Sequence, residues 1–416
     1  MSNKKQFKII LLLFFLVLFI LIPFSYVFSA EDVSKELGLT ADSYILLDNK
    51  TNKVLCNKNE NEKMYPASTT KIVTALLTLE NCNLDDTVTA SYDAVMSIPE
   101  GYSSANIQIG EQLTVEQLLE VLLVHSANDA ANILAEHVGG SIESFITMMN
   151  TRLNELGINN THFTNSFGMH DENHYTTATD LAKILKYCLK NETFRKIAGK
   201  ASCAIPTTNK SGTRTYSSTN ELLNSNSSNY YKYLIAGKTG FTSQAKECLV
   251  SAAYRDNLEL IGVVLHSNSR FSDSKKLFEY GYSNYSIKNI VNENDLITSI
   301  KVSGATKETE DLNLLSSETI SALVNNNSTS AFEPQVILNE NISAPIEEGS
   351  TLGKVTYNIE GISYTTDIVA EHNVEKSYFY LSVGISVGVI LIIIIFVFSR
   401  KKKKRVKKYG RKSKQY

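Results

Sequence analysis

Twenty-one residues, Tyr378 to Phe398, pass without one charge, and this stretch constrains the chain more than any other. As a helix rising about 1.5 Å per residue it reaches about 31 Å, enough to cross a ~30 Å hydrocarbon core. Everything before it must then fold on one side of a membrane. Arg400-Lys401-Lys402-Lys403-Lys404-Arg405 follows, and eleven basic and no acidic residues lie beyond the stretch. Basic flanks stay cytoplasmic. The expected topology is a single pass through the cell membrane: an extracytoplasmic body, a span over 377–398 and a cytoplasmic tail over 399–416. A nucleic-acid role for the tail competes with this, but basic runs abutting a span ordinarily stop transfer and meet lipid headgroups.

The N-terminus has Lys4, Lys5 and Lys8, an unbroken apolar run from Ile9 to Ile22, then Pro23 and small residues around Val27, Ser29 and Ala30. That order reads as a secretory signal peptide over 1–30. Its fourteen apolar residues rise only about 21 Å, short of a bilayer; an uncleaved anchor is the rival. With three N-terminal and eleven tail bases set aside, 27 basic residues face 43 acidic ones, all between Glu31 and Glu375. An exported body of net charge −16 argues against nucleic acid as a partner. Five cysteines, Cys56, Cys82, Cys188, Cys203 and Cys248, are odd in number and irregularly spaced. A body this size needs no disulfide framework, which leaves room for one incidental bridge. No Cys/His spacing points to a metal.

Short alternating runs over 43–48 and 53–57 flank Asn49-Lys50-Thr51-Asn52, a hairpin signal. From Ser68 the pattern turns helical, and 114–125, 129–138 and 142–156 read as consecutive helices, with another over 179–189. Strands return near 234–238, 248–254 and 258–266, and a helix near 272–280 closes the unit. Strands at both ends around a helical insert predict one large α/β (α+β) domain, taken as 31–286. Past it, short alternating stretches around Val302, Ile337, Val355 and Ile362 predict a small all-β domain over 287–372.

Within the first domain three strings occur in order: Ser68-Thr69-Thr70-Lys71, Ser126-Ala127-Asn128 and Lys238-Thr239-Gly240, spaced 58 and then 112 residues apart. Ser-x-x-Lys arises cheaply, since it also matches at Ser2 and Ser272; the ordered set is far rarer. Ser68 and Lys71 lie one helical turn apart, on one face. A serine hydroxyl needs a base to become a nucleophile, and a lysine serves only if burial or a nearby positive charge makes it neutral. Lys238 could supply that charge. The plainer alternative is a capping serine and a solvated lysine. Ser126 and Asn128, at a break between helices, can relay protons and exchange hydrogen bonds; ordinary capping is the alternative. Lys238 and Thr239 can bind an anion, and Gly240 lets a ligand approach the backbone. The alternative there is a strand running into a turn.

The three strings are those of active-site serine acyl-transferases, and the chain resembles the low-molecular-mass penicillin-binding proteins of the D-alanyl-D-alanine carboxypeptidase family. Similar segments include Asn128 to Ser141, Phe163-Thr164-Asn165-Ser166-Phe167-Gly168, Thr176 to Asp180 and Ser269-Arg270-Phe271-Ser272. The resemblance implies a β-lactamase/transpeptidase-like domain, an antiparallel sheet flanked by helices with a helical subdomain holding Ser126. It implies that Ser68 attacks the carbonyl between the two terminal D-alanines of a peptidoglycan stem, with Lys71 as base and Ser126 passing the proton to the leaving D-alanine. Asn128 would hold Lys71 and the substrate amide, and Lys238 would add positive potential. Thr239 and Arg270 would grip the terminal carboxylate, and the N–H groups of Ser68 and Phe241 would receive the oxyanion. It implies no cofactor, and β-lactam antibiotics as covalent inhibitors. A β-lactamase is the alternative within this chemistry, but no Glu-x-x-Leu-Asn string lies between Asn128 and Lys238. A non-catalytic, membrane-tethered wall-binding protein is the alternative outside it.

Overall fold

The computed structural model describes residues 32–329 and 331–410; the leader expected over 1–30 lies outside them. The described chain divides into two compact units, with the boundary between Ser283 and Asn284.

In the first unit β1 (Ser43–Asp48) and β2 (Val54–Lys58) form the expected hairpin. The Asp48 carboxylate ties its turn by accepting from the Thr51 N–H at 2.8 Å. Three longer strands, β7 (Leu234–Thr242), β8 (Lys246–Arg255) and β9 (Leu258–Ser267), complete a five-stranded antiparallel sheet ordered β2-β1-β9-β8-β7. Ser43 pairs with Leu265, so the first and last segments of the unit meet at the middle of the sheet. Every residue of β1 is buried, because helices cover both faces. On one face lies the helix Arg270–Asn284, where a Cβ on Gly281 would stand 2.6 Å from Leu260 Cδ1. On the other lie the helices Ala178–Cys188, against β1, β8 and β9, and Glu192–Ala198, against β7, with Lys71–Asn81 packed on both.

The helices Val115–Glu120, Asn128–Gly139 and Ile142–Glu155 share one apolar core with that second face. A capping box, Thr114 with Gln117, starts the first of them.

Three expectations need correction. The predicted helix 114–125 changes at Val121 into a π-turn that ends with Ser126 in the left-handed region, φ 66°. Such turns insert a residue and are frequent at functional sites. Ser68 lies in a 3₁₀ turn, Ala67–Thr70, and the α-helix begins at Lys71. Strand β7 does not end at Lys238 but carries Lys238-Thr239-Gly240 within it. None of the five cysteines is joined to another in a disulfide, one of the two outcomes the sequence leaves open. Two short strand pairs, β3 (Thr87–Thr89) with β4 (Gln112–Thr114) and β5 (Ser202–Ile205) with β6 (Arg214–Ser217), have too few residues for a legible alternation.

The strands of the second unit are β10 (Tyr285–Val291), β11 (Leu296–Lys301), β12 (Asp311–Ser316), β13 (Ile320–Asn325), β14 (Pro334–Leu338), β15 (Thr351–Ile359) and β16 (Ile362–Ala370). They form a five-stranded antiparallel sheet, ordered β11-β12-β16-β15-β14, with a separate pair β10-β13. Glu360 and Gly361, at φ 53° and 79°, make the two-residue turn between β15 and β16. Inward residues of alternate position, among them Leu312, Leu314, Val355 and Ile368, build its core. A helix, Phe379–Gly410, follows, and its stretch Leu381–Lys401 is long and apolar enough to cross a membrane.

Candidate active site

The site forms where the Ala67–Thr70 turn meets β7. Pro66 is followed by Ala67 at φ 47°, a conformation few non-glycine residues adopt. Side-chain hydroxyls hold the turn: Thr69 Oγ1 donates to the Pro66 carbonyl and Thr70 Oγ1 to the Ala67 carbonyl, each at 2.8 Å. Two glycines permit the close approach of neighbouring backbone. A Cβ on Gly240 would meet Pro66 O at 2.7 Å and Ser68 N at 3.0 Å, and one on Gly168 would lie 1.9 Å from Ala67 O. The Ser68 backbone is thus clasped between β7 and the loop around Gly168.

Lys71 is wholly buried at the first turn of its helix. Its Nζ has three partners: Ser68 Oγ at 2.9 Å, Asn128 Oδ1 at 2.6 Å and the Phe167 carbonyl at 2.9 Å. Burial holds its pKa well below the ordinary lysine value, and the positive charge of Lys238 pushes the same way against a smaller opposing pull from Asp129. Among the described residues no carboxylate forms an ion pair with it.

Lys238, also buried, projects from β7 and donates to Ser126 Oγ at 2.9 Å and to the Thr239 carbonyl at 3.0 Å. Burial, then the field of Arg270, pulls it down to about 7. The left-handed turn at Ser126 is what points its hydroxyl at β7. The Asn128 N–H donates to the Ser103 carbonyl at 2.9 Å. The Asp129 carboxylate fixes the same loop by accepting from the N–H groups of Ala105 and Ile107, each at 3.0 Å.

Thr239 Oγ1 lies 2.5 Å from Thr219 Oγ1. Arg270 donates from Nη1 to the Gly240 carbonyl at 2.9 Å, while its backbone N–H is held by Glu247 at 2.9 Å. The Arg270 Nε is buried without a hydrogen-bond partner. Phe241, next along β7, is exposed. The structure therefore brings Ser68, Lys71 and Asn128 into one bonded group and Ser126, Lys238 and Thr239 into a second, with Gly240 and Arg270 at their junction. No hydrogen bond joins Thr239 to Arg270.

Sequence reasoning missed the Phe167 carbonyl and Thr219. A backbone acceptor leaves no side-chain signature, and only the similarity of the segment Phe163 to Gly168 pointed there.

The comparisons with known proteins fall on the same region. The family described as D-alanyl-D-alanine carboxypeptidase matches residues 30–269, and one described as the penicillin-binding protein 5 C-terminal domain matches residues 285–376. The chain is 31% identical over 356 residues to the D-alanyl-D-alanine carboxypeptidase DacF of Bacillus subtilis, covering 83% of this chain and 89% of that one. It is 35% identical over 259 residues to a D-alanyl-D-alanine carboxypeptidase of Streptomyces sp., covering 57% of this chain and 85% of that one. Among solved structures, penicillin-binding protein 5 of Haemophilus influenzae superposes with TM-score 0.61 at 27% identity, over 81% of this chain and 98% of that one.

Proposed function

The chain belongs to the D-alanyl-D-alanine carboxypeptidase family, and from that premise we propose which residues carry its reaction. It is a serine-type hydrolase that removes the terminal D-alanine of peptidoglycan stem peptides and is acylated by β-lactams.

One observation carries the assignment of roles: the partner set of Lys71. A neutral amine has two N–H donors and one lone pair. Asn128 Oδ1 and the Phe167 carbonyl are acceptors, so they take both protons, and the lone pair is left for Ser68 Oγ. Lys71 is then a base aimed at the nucleophile. Ser68 Oγ attacks the carbonyl carbon between the two D-alanines while its proton passes to Lys71. The oxyanion is received by the N–H groups of Ser68 and Phe241. Collapse breaks the C–N bond. Ser126, fed by Lys238, delivers a proton to the departing amine, leaving an ester on Ser68 and free D-alanine. Water then attacks the ester: its hydroxyl joins the acyl carbon and its other proton restores Lys238 through Ser126, while Lys71 returns its proton to Ser68 Oγ, leaving the free serine and a shortened peptide whose new carboxyl group ionises.

The terminal carboxylate sits at the β7 edge. Thr239 offers a hydroxyl, Lys238 a charge and Arg270 a guanidinium whose buried Nε lacks an acceptor, which supports recognition of a free C-terminus. Asn128 presents its amide nitrogen to the substrate backbone.

The domain at 31–286 does the chemistry, and the all-β domain at 287–372 connects it in sequence to the apolar stretch. The stretch 377–398 anchors the protein, the basic tail 399–416 stays in the cytoplasm, and the 1–30 leader is removed on export. The eleven bases after the span support that orientation.

The test incubates the full chain and a Ser68→Ala variant with a fluorescent penicillin and with a pentapeptide ending in D-Ala-D-Ala. Ser68-dependent labelling and D-alanine release are expected. Rapid penicillin hydrolysis without peptide cleavage would mean a β-lactamase, and neither signal from folded protein would mean a binding role.

A further inference from the structure

The loop Phe163–His174 bonds to the nucleophile turn through a directed chain that the reaction scheme leaves unused. Thr164 N–H donates to His174 Nδ1 at 3.0 Å. A backbone amide can only donate, so Nδ1 is the acceptor nitrogen and the ring proton is on Nε2. His174 Nε2 lies 2.8 Å from Thr70 Oγ1, and Thr70 in turn donates to the Ala67 carbonyl at 2.8 Å. The chain ends on the residue held at positive φ directly before Ser68. His174 is buried, and its ring faces Phe163 with centroids 4.9 Å apart. Desolvation drives it down to about 3 against a smaller opposing pull from Asp171, so it stays neutral and keeps its tautomer at ordinary pH.

The same loop shapes the second arm. Asn165 Oδ1 accepts from the N–H groups of Phe167, Gly168 and Met169 at 3.3, 2.7 and 2.9 Å, and Asn165 Nδ2 donates to the Met169 carbonyl at 2.9 Å. This cradle turns the Phe167 carbonyl toward Lys71 and brings Gly168 against Ala67. One loop therefore fixes both the nucleophile and the acceptor that orients its base.

We propose that His174 and Asn165 are positioning residues of this enzyme, His174 acting on Ser68 through the Thr70 hydroxyl and Asn165 acting on Lys71 through the Phe167 carbonyl. The inference rests on the roles given above to Ser68 and Lys71. Neither positioning residue needs to touch substrate. Their loss would slow the acylation step and leave the preceding encounter complex nearly unchanged.

The experiment measures acylation of the full chain in detergent by a fluorescent penicillin, separating the non-covalent dissociation constant from the first-order acylation constant. The variants are Thr70→Val, which removes the hydroxyl at nearly constant shape, Thr70→Ser, which keeps it, and Asn165→Ala. Thr70→Val and Asn165→Ala are expected to acylate at least about 10-fold more slowly with dissociation constants within about twofold of wild type, and Thr70→Ser to recover to within about threefold. Acylation of folded Thr70→Val at the wild-type rate, or equal slowing in Thr70→Ser, would overturn the proposal. If wild type itself is not labelled, or Ser68→Ala labels equally, the earlier reading fails instead. The ¹⁵N spectrum of the wild-type imidazoles gives a check that needs no variant. One ring neutral and protonated on Nε2 down to pH 5 is expected, and its absence would overturn the chain's direction.

Discussion

Lys238 Nζ donates to Ser126 Oγ at 2.9 Å, joining side chains 112 residues apart in sequence and both buried. A lysine in that place is costly, because burial disfavours its charged form.

That cost has a sign. The folded pKa of Lys238 is about 7, against about 10.4 in an unfolded chain. Between those values the unfolded state binds more protons, so the contribution of Lys238 to stability rises with pH and is least favourable below about 7. Lys238→Met should be inactive yet more stable than wild type, by about 1 kcal/mol or more near pH 7. The gap should shrink as pH rises toward 10. Denaturant titrations at several pH values check this; a gap that widens with pH contradicts it.

Lys71→Arg should fold and fail. Arginine is never deprotonated, so the lone pair aimed at Ser68 disappears and acylation by penicillin should fall by about 10³-fold. Stopped-flow labelling measures it. A variant within tenfold of wild type would mean that Lys71 is not the base.

The architecture was legible where side chains carry their own periodicity: the β1-β2 hairpin, the helices over 128–139 and 178–188 and the β-rich second unit. The three strings located Ser68, Lys71, Ser126, Asn128 and Lys238 because their side chains do the bonding. What could not be read was backbone. The Phe167 carbonyl is a substituent every residue has, and the left-handed Ser126 and Ala67 follow from tertiary contacts. The sequence pattern ends strand β7 at Lys238 because a charge and a glycine both argue against a buried strand, whereas in the structure the charged group is buried with a hydrogen bond to Ser126 Oγ.

Gly168→Ala and Gly157→Ala separate strain from collision. Both glycines have positive φ, 92° and 69°, but a Cβ at 168 would meet Ala67 O at 1.9 Å and one at 157 meets nothing within 4 Å. Gly157→Ala should cost about 1 kcal/mol, the backbone penalty alone. Gly168→Ala should cost at least about 3 kcal/mol and abolish labelling, since the Ala67–Ser68 peptide must move. Thermal denaturation with penicillin labelling reads both; equal costs would mean that the loop yields without disturbing Ser68.

Arg270→Ala should act on substrate choice. Removing a charge-assisted contact to the terminal carboxylate should lower kcat/KM for a free-acid peptide roughly 10- to 100-fold, with little change for the C-terminal amide. Parallel assays on the two peptides decide it. An equal loss on both would place Arg270 in support of Gly240 and not in recognition.

The central claim is that Ser68, with its proton drawn by Lys71, becomes covalently acylated by a D-Ala-D-Ala peptide. Rapid quenching of the full chain with the pentapeptide, followed by peptide mapping by mass spectrometry, tests it directly. A transient adduct of the tetrapeptide acyl group on the peptide containing Ser68 is expected, accompanied by an equivalent of free D-alanine and absent in Ser68→Ala. Release of D-alanine at the wild-type rate by Ser68→Ala, or an adduct on another residue, would contradict it.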